Sequence, residues 1–301
     1  MRIAHISDIH IHKRKGLSRY NIFYALFKAF NTRIDLNLLD VLISDLKTLK
    51  GKNELNHVVI TGDITNTNHS EEFEVFIEKF KQLDDTDWYE SKFLSVVPGN
   101  HDRAHAGNFS KKFLRRIYPN HYKDKDLHPI VKSLGNDIGL ILVDSTGEFP
   151  LSSLLLGSLG KIDRRQYKRL IEILKRNKDR FKILALHHHP LIVPYYRQAA
   201  QLAILRKARK YLTDFYSLGV DLILHGHRHY PFNWKHKPTP LSSHKMTVIC
   251  APSVARSIQD HTTIFNAYNI YQIEDNKVII KQRGYIDGQY KWLEIFRGKN
   301  E

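Results

Sequence analysis

The chain has 301 residues, of which 42% are hydrophobic and 26% charged, which is typical of a globular protein with a sizeable core and excludes a disordered chain. No apolar run approaches the roughly 18 residues of a membrane span, and the first residues lack the apolar stretch of a signal peptide, so we expect a cytoplasmic protein. Lysine and arginine (47) exceed aspartate and glutamate (31) by 16, which favours anionic partners such as nucleic acid, phosphorylated ligands or acidic lipid headgroups.

Short apolar runs alternate with segments of helical period, which predicts an α/β protein. The predicted strands are 2–7, 57–61, 93–97, 139–143, 182–186, 220–225 and 246–250, followed by edge strands at 268–273, 278–282 and 290–296. Helices are predicted around 38–49, 73–80, 163–177 and 199–217, and the third of these is expected to open with a capping box from Asp163 to Gln166. Because no repeat or linker interrupts the chain, we expect one domain over residues 1–301.

Five polar clusters directly follow five of the predicted strands. They are Asp8-Ile9-His10, Gly62-Asp63, Gly99-Asn100-His101-Asp102, His187-His188-His189-Pro190 and Gly226-His227-Arg228-His229. Ligands bind open α/β sheets at the carboxyl ends of strands, so we expect these clusters to converge on one crevice. Residues two apart in an extended segment point the same way. We therefore expect Asp8 and His10 to point together into that crevice, and likewise His227 and His229. The glycines in the clusters predict tight turns and close backbone approach.

The clusters resemble the calcineurin-like metallophosphoesterase superfamily, whose pattern is D-x-H, G-D, G-N-H-D, a later H, and G-H-x-H. The resemblance covers about residues 1–255. It implies a four-layer α/β/β/α sandwich of two mixed sheets flanked by helices, and a metal-dependent hydrolase of phosphodiester or pyrophosphate bonds. The metal ligands that it implies are Asp8, His10 and His229 for one ion, Asn100, His188 and His227 for the other, and Asp63 bridging both.

The resemblance selects His188 because the family's ligand stands two residues before a proline, with His187 as the alternative. A carboxylate can bridge two divalent ions where a histidine cannot, which supports Asp63 independently. Mixed imidazole, carboxylate and amide ligands favour Mn²⁺, with Fe²⁺ or Zn²⁺ as alternatives. By resemblance, His101 stabilises the transition state or protonates the leaving oxygen, and Asp102 either orients His101 or holds an ordinary turn.

Apolar segments outside the strands bear on the substrate. Residues 17–34 place Phe23, Phe27 and Phe30 on one stripe flanked by basic residues, which suits a lid or an interfacial helix on an anionic membrane as well as packing on the core. The same two interpretations apply to residues 149–159 and 191–196.

If these segments meet lipid, the superfamily activity that fits best is hydrolysis of UDP-2,3-diacylglucosamine, a nucleotide-lipid, to lipid X and UMP in lipid A synthesis, at the inner face of the membrane. The common enzyme of that step carries arginine where His101 stands here, so only its diverged counterpart would match. The alternatives are a cyclic-nucleotide or other small phosphodiester hydrolase, then a DNA nuclease, which the sequence disfavours because no duplex-clamping domain is appended. A non-catalytic scaffold is the remaining class, and the complete set of ligand positions argues against it.

Overall fold

A computed structural model describes most of the chain. The described residues are 1–13, 34–105, 108–109, 111–121, 123, 127–147, 159–177, 180–191, 204–229, 231–235, 244–255, 266–293 and 299–300. Two mixed sheets stack face to face with helices on both outer faces, which confirms the predicted α/β/β/α architecture. The stripe predicted over residues 17–34 lies outside the described residues except for Ile34, which is buried.

The first sheet has the order β14-β13-β12-β1-β2-β3. Its strands are β1 (Arg2–Ile6), β2 (His57–Thr61), β3 (Leu94–Val97), β12 (Ala267–Glu274), β13 (Lys277–Ile286) and β14 (Gln289–Trp292). Strands β1 to β3 are parallel, and β12 to β14 extend the sheet as an antiparallel meander beside β1. The C-terminal strands therefore form an edge extension, as predicted.

The second sheet has the order β15-β10-β11-β9-β8-β7-β6, and a two-stranded ribbon pairs β4 with β5. These strands are β4 (Ala104–His105), β5 (Asn108–Phe109), β6 (Ile130–Leu134), β7 (Ile138–Leu142), β8 (Phe181–Ala185), β9 (Leu222–His225), β10 (Phe232–Lys235), β11 (Thr247–Cys250) and β15 (Lys299–Asn300). Strands β7, β8, β9 and β11 are parallel, so their carboxyl ends meet at one edge.

The helices cover the outer faces of the sheets and seal two apolar cores. They are α1 (Leu36–Gly51), α2 (Ser70–Phe80), α3 (Asn100–Arg103), α4 (Lys112–Ile117), α5 (Arg164–Arg176) and α6 (Ala208–Ser217). One core lies between the sheets and under α1 and α2, and the other lies between the second sheet and the pair α5 and α6. Each helix among the described residues is too short or too polar to cross a membrane.

Helix α5 begins after Asp163 as predicted, but the predicted capping box is absent. The Asp163 side chain makes no capping hydrogen bond. Gln166 faces inward instead, and its side-chain amide pairs with the backbone N–H and carbonyl of Asp144, both at 2.8 Å. The helix predicted over 199–217 begins only at Ala208, and residues 199–203 lie outside the described residues.

Lys132 lies on β6 with its side chain buried against the edge strand of the other sheet. Its Nζ donates to the carbonyls of Trp88, Ser91 and Leu94 at 2.7, 2.9 and 2.8 Å. Lys132→Met preserves much of the volume but removes all three donors, so we expect the free energy of unfolding to fall by about 1–3 kcal/mol. Urea denaturation measures the change, with the exposed Lys277→Met as the control. Equal stability of the two variants would contradict this role.

Candidate metal centre

Backbone hydrogen bonds hold the segment that follows β1 against the segment that follows β2. The N–H of Asp8 donates to the carbonyl of Gly62 at 3.1 Å, and the N–H of His10 donates to that of Asp63 at 2.9 Å. Residue pairing of the two parallel strands thus continues past their ends. This places the side chains of Asp8, His10 and Asp63 next to one another.

The chain at these clusters is not extended, which corrects the expectation from the sequence. Asp8, His10, Asp63, His227 and His229 all have positive φ, between 50° and 70°. Left-handed backbone is uncommon outside glycine and costs on the order of 1–3 kcal/mol per residue, although aspartate and histidine tolerate it better than most residues do. With this backbone, Asp8 and His10 still point into the same hollow between the clusters, and so do His227 and His229. Local backbone strain is therefore concentrated around that hollow.

Glycines in the clusters allow the close backbone approach that the sequence predicts. A Cβ on Gly99 would lie 2.1 Å from Oδ1 of Asp63, and one on Gly226 would lie 1.7 Å from Oγ of Ser7. Gly62 also has a positive φ of 84°. Any side chain at these positions would push the clusters apart.

One group of donors comprises Asp8, His10, Asp63 and His229, whose ligand atoms lie within 4.8 Å of one another. Nε2 of His229 is 3.1 Å from Oδ1 of Asp8 and 3.1 Å from Nε2 of His10. Nε2 of His10 is 3.8 Å from Oδ2 of Asp63. The two imidazoles and two carboxylates therefore face a common point.

A second group comprises Asp63, His187 and His227, with Asn100 beside them. Nε2 of His187 lies 3.3 Å from Oδ2 of Asp63, 3.1 Å from Oδ1 of Asn100 and 3.1 Å from Nδ1 of His227. The same Asp63 oxygen thus faces both groups. Asp63 is the residue that they share.

His187, and not His188, occupies this second group. Nδ1 of His187 donates to the carbonyl of Thr61 at 2.6 Å, and this hydrogen bond connects the second sheet to the first. It leaves Nε2 of His187 directed at Asp63. His188 is not part of the group: its Nδ1 lies 2.9 Å from Oγ of Ser145, and its ring packs beside that of His227 with centroids 4.7 Å apart. The structure brings together every ligand that the sequence suggested except His188. The spacing to the proline could not reveal this, because it does not encode the direction of a side chain.

The buried groups of the hollow shift the pKa values of its histidines in opposite directions. Burial lowers the pKa of His187, but the charge of Asp63 and its hydrogen bond outweigh burial and raise that pKa to about 9. Burial, with the charge of His101, lowers the pKa of His10 to about 3. Neutral imidazole is the form that binds metals, so His10 is ready to ligate and His187 would release its proton on metal binding.

His101 lies beside the first donor group. Its ring is edge-on to that of His10, with centroids 4.8 Å apart. Its Nδ1 donates to the carbonyl of Asn66 at 2.8 Å, and its backbone N–H donates to Oδ1 of Asp63 at 2.8 Å. Because a carbonyl can only accept, Nδ1 carries a hydrogen and Nε2 is the ring atom left for chemistry.

Asp102 is fully buried and holds two loops together. Its carboxylate accepts backbone N–H groups from Ile64, Thr65 and Gly99 at 2.8 to 3.2 Å. Burial, with the nearby charge of Asp63, raises the pKa of Asp102 to about 6. Of the two roles left open by the sequence, these contacts favour holding the turn, because the ring of His101 is oriented by the Asn66 carbonyl.

The donors fit two divalent ions. Imidazole nitrogens, carboxylate oxygens and one amide oxygen are suitable ligands for transition metals, and they are arranged in two groups around a shared carboxylate. A buried carboxylate that faces imidazoles on both sides is the arrangement that a pair of cations requires, because an anion between the ions offsets their repulsion.

Comparisons with known proteins show the family to which the chain belongs. The family model for the calcineurin-like phosphoesterase domain matches residues 1–231. A probable glycerophosphodiester phosphodiesterase, GpdQ, of Arcobacter nitrofigilis is 29% identical over 191 residues, which cover 64% of this chain and 58% of that relative. The chain therefore spans less than two thirds of the length of the curated relative that it matches.

Solved structures share the fold at low identity. GAP50, the anchor in the inner membrane complex of Plasmodium, has a TM-score of 0.51 at 13% identity, covering 100% of this chain and 91% of its own. TT1561 of Thermus thermophilus has a TM-score of 0.50 at 12% identity, covering 93% of this chain and 97% of its own. With its fold, its paired donor groups and a family match over most of its length, the chain belongs to the calcineurin-like phosphoesterase family.

Proposed function

We propose that this protein hydrolyses small phosphodiesters at a centre of two divalent ions. The observation that carries the proposal is Oδ2 of Asp63, which faces both donor groups at 3.8 Å from His10 Nε2 and 3.3 Å from His187 Nε2. One ion would be held by Asp8, His10, Asp63 and His229, and the other by Asp63, Asn100, His187 and His227. Mn²⁺ is the ion that we expect from this donor set, with Fe²⁺ and Zn²⁺ as alternatives.

Two bound divalent ions lower the pKa of a water molecule and neutralise charge on the phosphoryl group. The protein contributes orientation and proton transfer. The backbone N–H of His101 fixes one oxygen of Asp63 at 2.8 Å, so the other oxygen stays directed at the donor groups. The imidazole of His101 is held by Asn66 through Nδ1, and in its doubly protonated form it would donate the Nε2 proton to the departing alkoxide.

His101→Ala should lower kcat by about 10²- to 10⁴-fold because it removes the proton donor. Metal content should stay at the wild-type level, since His101 belongs to neither donor group. The measurement compares an alkyl diester with a p-nitrophenyl diester, whose leaving group needs no proton. We expect a much smaller loss on the p-nitrophenyl substrate. An equal loss on both substrates would contradict proton donation by His101.

The likeness to a probable glycerophosphodiester phosphodiesterase supports a small diester as the substrate. The second candidate is UDP-2,3-diacylglucosamine at a membrane surface. It rests on the aromatic and basic stripe of residues 17–34 and on the histidine at position 101. Hydrolysis of the nucleotide-lipid would use the same metal centre as hydrolysis of a small diester. The two candidate functions are therefore distinguished by measuring the turnover of each substrate.

The test is a substrate panel on purified protein reconstituted with Mn²⁺. The panel contains a glycerophosphodiester, a cyclic nucleotide, an aryl phosphodiester, an aryl phosphomonoester and a diacylated UDP-sugar in mixed micelles. We expect the highest kcat/KM on one of the three soluble diesters. Release of UMP as the fastest reaction would replace this substrate class with the nucleotide-lipid. No turnover of any compound by protein that contains two ions would overturn the proposal.

A further inference from the structure

The outer surface of helices α5 and α6 carries exposed cationic side chains at high density. The cluster, here called the basic face, comprises Arg164, Arg165, Lys168, Lys175, Arg176, Lys207 and Arg209. Among the described residues, the ion pairs on these elements are Lys161 with Asp163 and Lys210 with Asp214, and the basic face takes part in neither. Glu172 is an exposed acidic residue of α5 that lies four positions from Lys168 and Arg176, so the basic face carries a net positive charge that is only partly compensated.

The two helices form one surface. Both pack on the second sheet through the core that contains Leu170 and Phe215. The rings of Tyr167 and Tyr211 lie 4.8 Å apart between the helices, and the Tyr167 hydroxyl donates to Asp214. Like charges held together in this way repel one another, and that repulsion opposes the folded state. An anionic partner would relieve the repulsion.

One end of the basic face adjoins the metal centre. Helix α5 follows the carboxyl end of β7, and helix α6 follows that of β8. Just before α6, the N–H of Leu205 donates to the carbonyl of His189 at 3.0 Å, and the N–H of Arg206 donates to that of Gly160 at 2.8 Å. A long anion on the basic face would thus extend toward the hollow that holds the donor groups.

We propose that the basic face binds the phosphate backbone of a nucleic acid. The 13 residues of α5 span about 20 Å, over which one strand of a duplex carries about six phosphates. Membrane-surface helices insert apolar side chains into lipid, whereas the apolar side of α5 is used against the sheet. The large hydrophobic side chains that are exposed in the described part of the chain lie elsewhere, at Leu36, Val131, Ile279 and Trp292.

Binding does not depend on hydrolysis at the metal centre, so this proposal and the proposed function fail separately. The probe is a fluorescently labelled oligonucleotide of about 20 nucleotides, single- or double-stranded, titrated in chelator and with Mn²⁺ by anisotropy. The test variant is Arg165→Glu, Lys168→Glu and Arg176→Glu together. We expect its affinity to fall at least about tenfold, and the slope of log Kd against log salt to decrease by about 2 to 3.

The matched control reverses three exposed lysines on the first-sheet side of the molecule, Lys47, Lys52 and Lys277. Each triple variant lowers the net charge of +16 by the same 6 units. We expect the control to retain most of the affinity, and both variants to hydrolyse an aryl phosphodiester like the wild type. Equal loss of affinity in both variants would overturn the proposal, because net charge alone would then explain binding. Binding to phosphatidylserine vesicles with none to either oligonucleotide would overturn it too.

Discussion

Asp63→Asn should abolish phosphodiesterase activity, with kcat/KM lower by roughly 10³-fold or more. The reason is that one carboxylate oxygen faces both donor groups, 3.8 Å from Nε2 of His10 and 3.3 Å from Nε2 of His187. Asparagine tolerates the left-handed backbone at this position, where φ is 51°, and retains an oxygen that can accept the N–H of His101. The substitution therefore removes the negative charge while the local structure persists.

Metal analysis by mass spectrometry is the second measurement on this variant. The wild type should bind two ions per chain and the Asp63→Asn variant at most one, because mutual repulsion of two cations is no longer offset by a shared anion. The control is Asp85→Asn, whose side chain is 79% exposed in a surface ion pair with Lys81. The control should keep two ions and full activity. An Asp63→Asn protein with two tightly bound ions and normal turnover would refute the shared-carboxylate arrangement.

His187→Ala and His188→Ala should differ sharply in activity, although both side chains are fully buried neighbours. Removal of His187 takes away the Nε2 atom that lies 3.3 Å from Asp63 and 3.1 Å from His227. We expect loss of the second ion and a fall in kcat of roughly 10²-fold or more. Removal of His188 should leave two ions bound and lower kcat by about tenfold, at the low end of the effect of groups that support a ligand.

The matched pair separates ligation from packing. Both substitutions delete an imidazole of the same size from the interior, so both should lower thermal stability. Only His187→Ala should lower metal content. The reverse order, with metal lost on removal of His188, would restore the assignment that the spacing to Pro190 implies. In that case the ring orientations described above would differ in the metal-bound protein.

Local pattern was sufficient for most of the strands in the two sheets, whereas β6, β10 and helix α4 were not predicted. Strands such as His57–Thr61 and Leu222–His225 are short apolar runs bounded by polar residues and glycine, so their positions are encoded locally. The need for glycine in the polar clusters was also predictable, because a polar cluster that follows a strand needs a tight turn. The prediction of a capping box at Asp163 was wrong, since Gln166 is drawn inward by the backbone of Asp144.

The amino-acid sequence by itself determined the α/β class and the set of residue types that gather where the carboxyl ends of strands from the two sheets meet, and the family resemblance implied the layered fold. Only the tertiary structure decided which neighbouring histidine enters the hollow and what Asp102 does. Side-chain direction after a strand depends on backbone dihedral angles and on partners far along the chain, such as Thr61 for His187 and Ser145 for His188. Thr61 becomes a neighbour of His187 only when the two sheets pack together, and Ser145 becomes a neighbour of His188 only when β7 pairs with β8, so no local pattern can specify them.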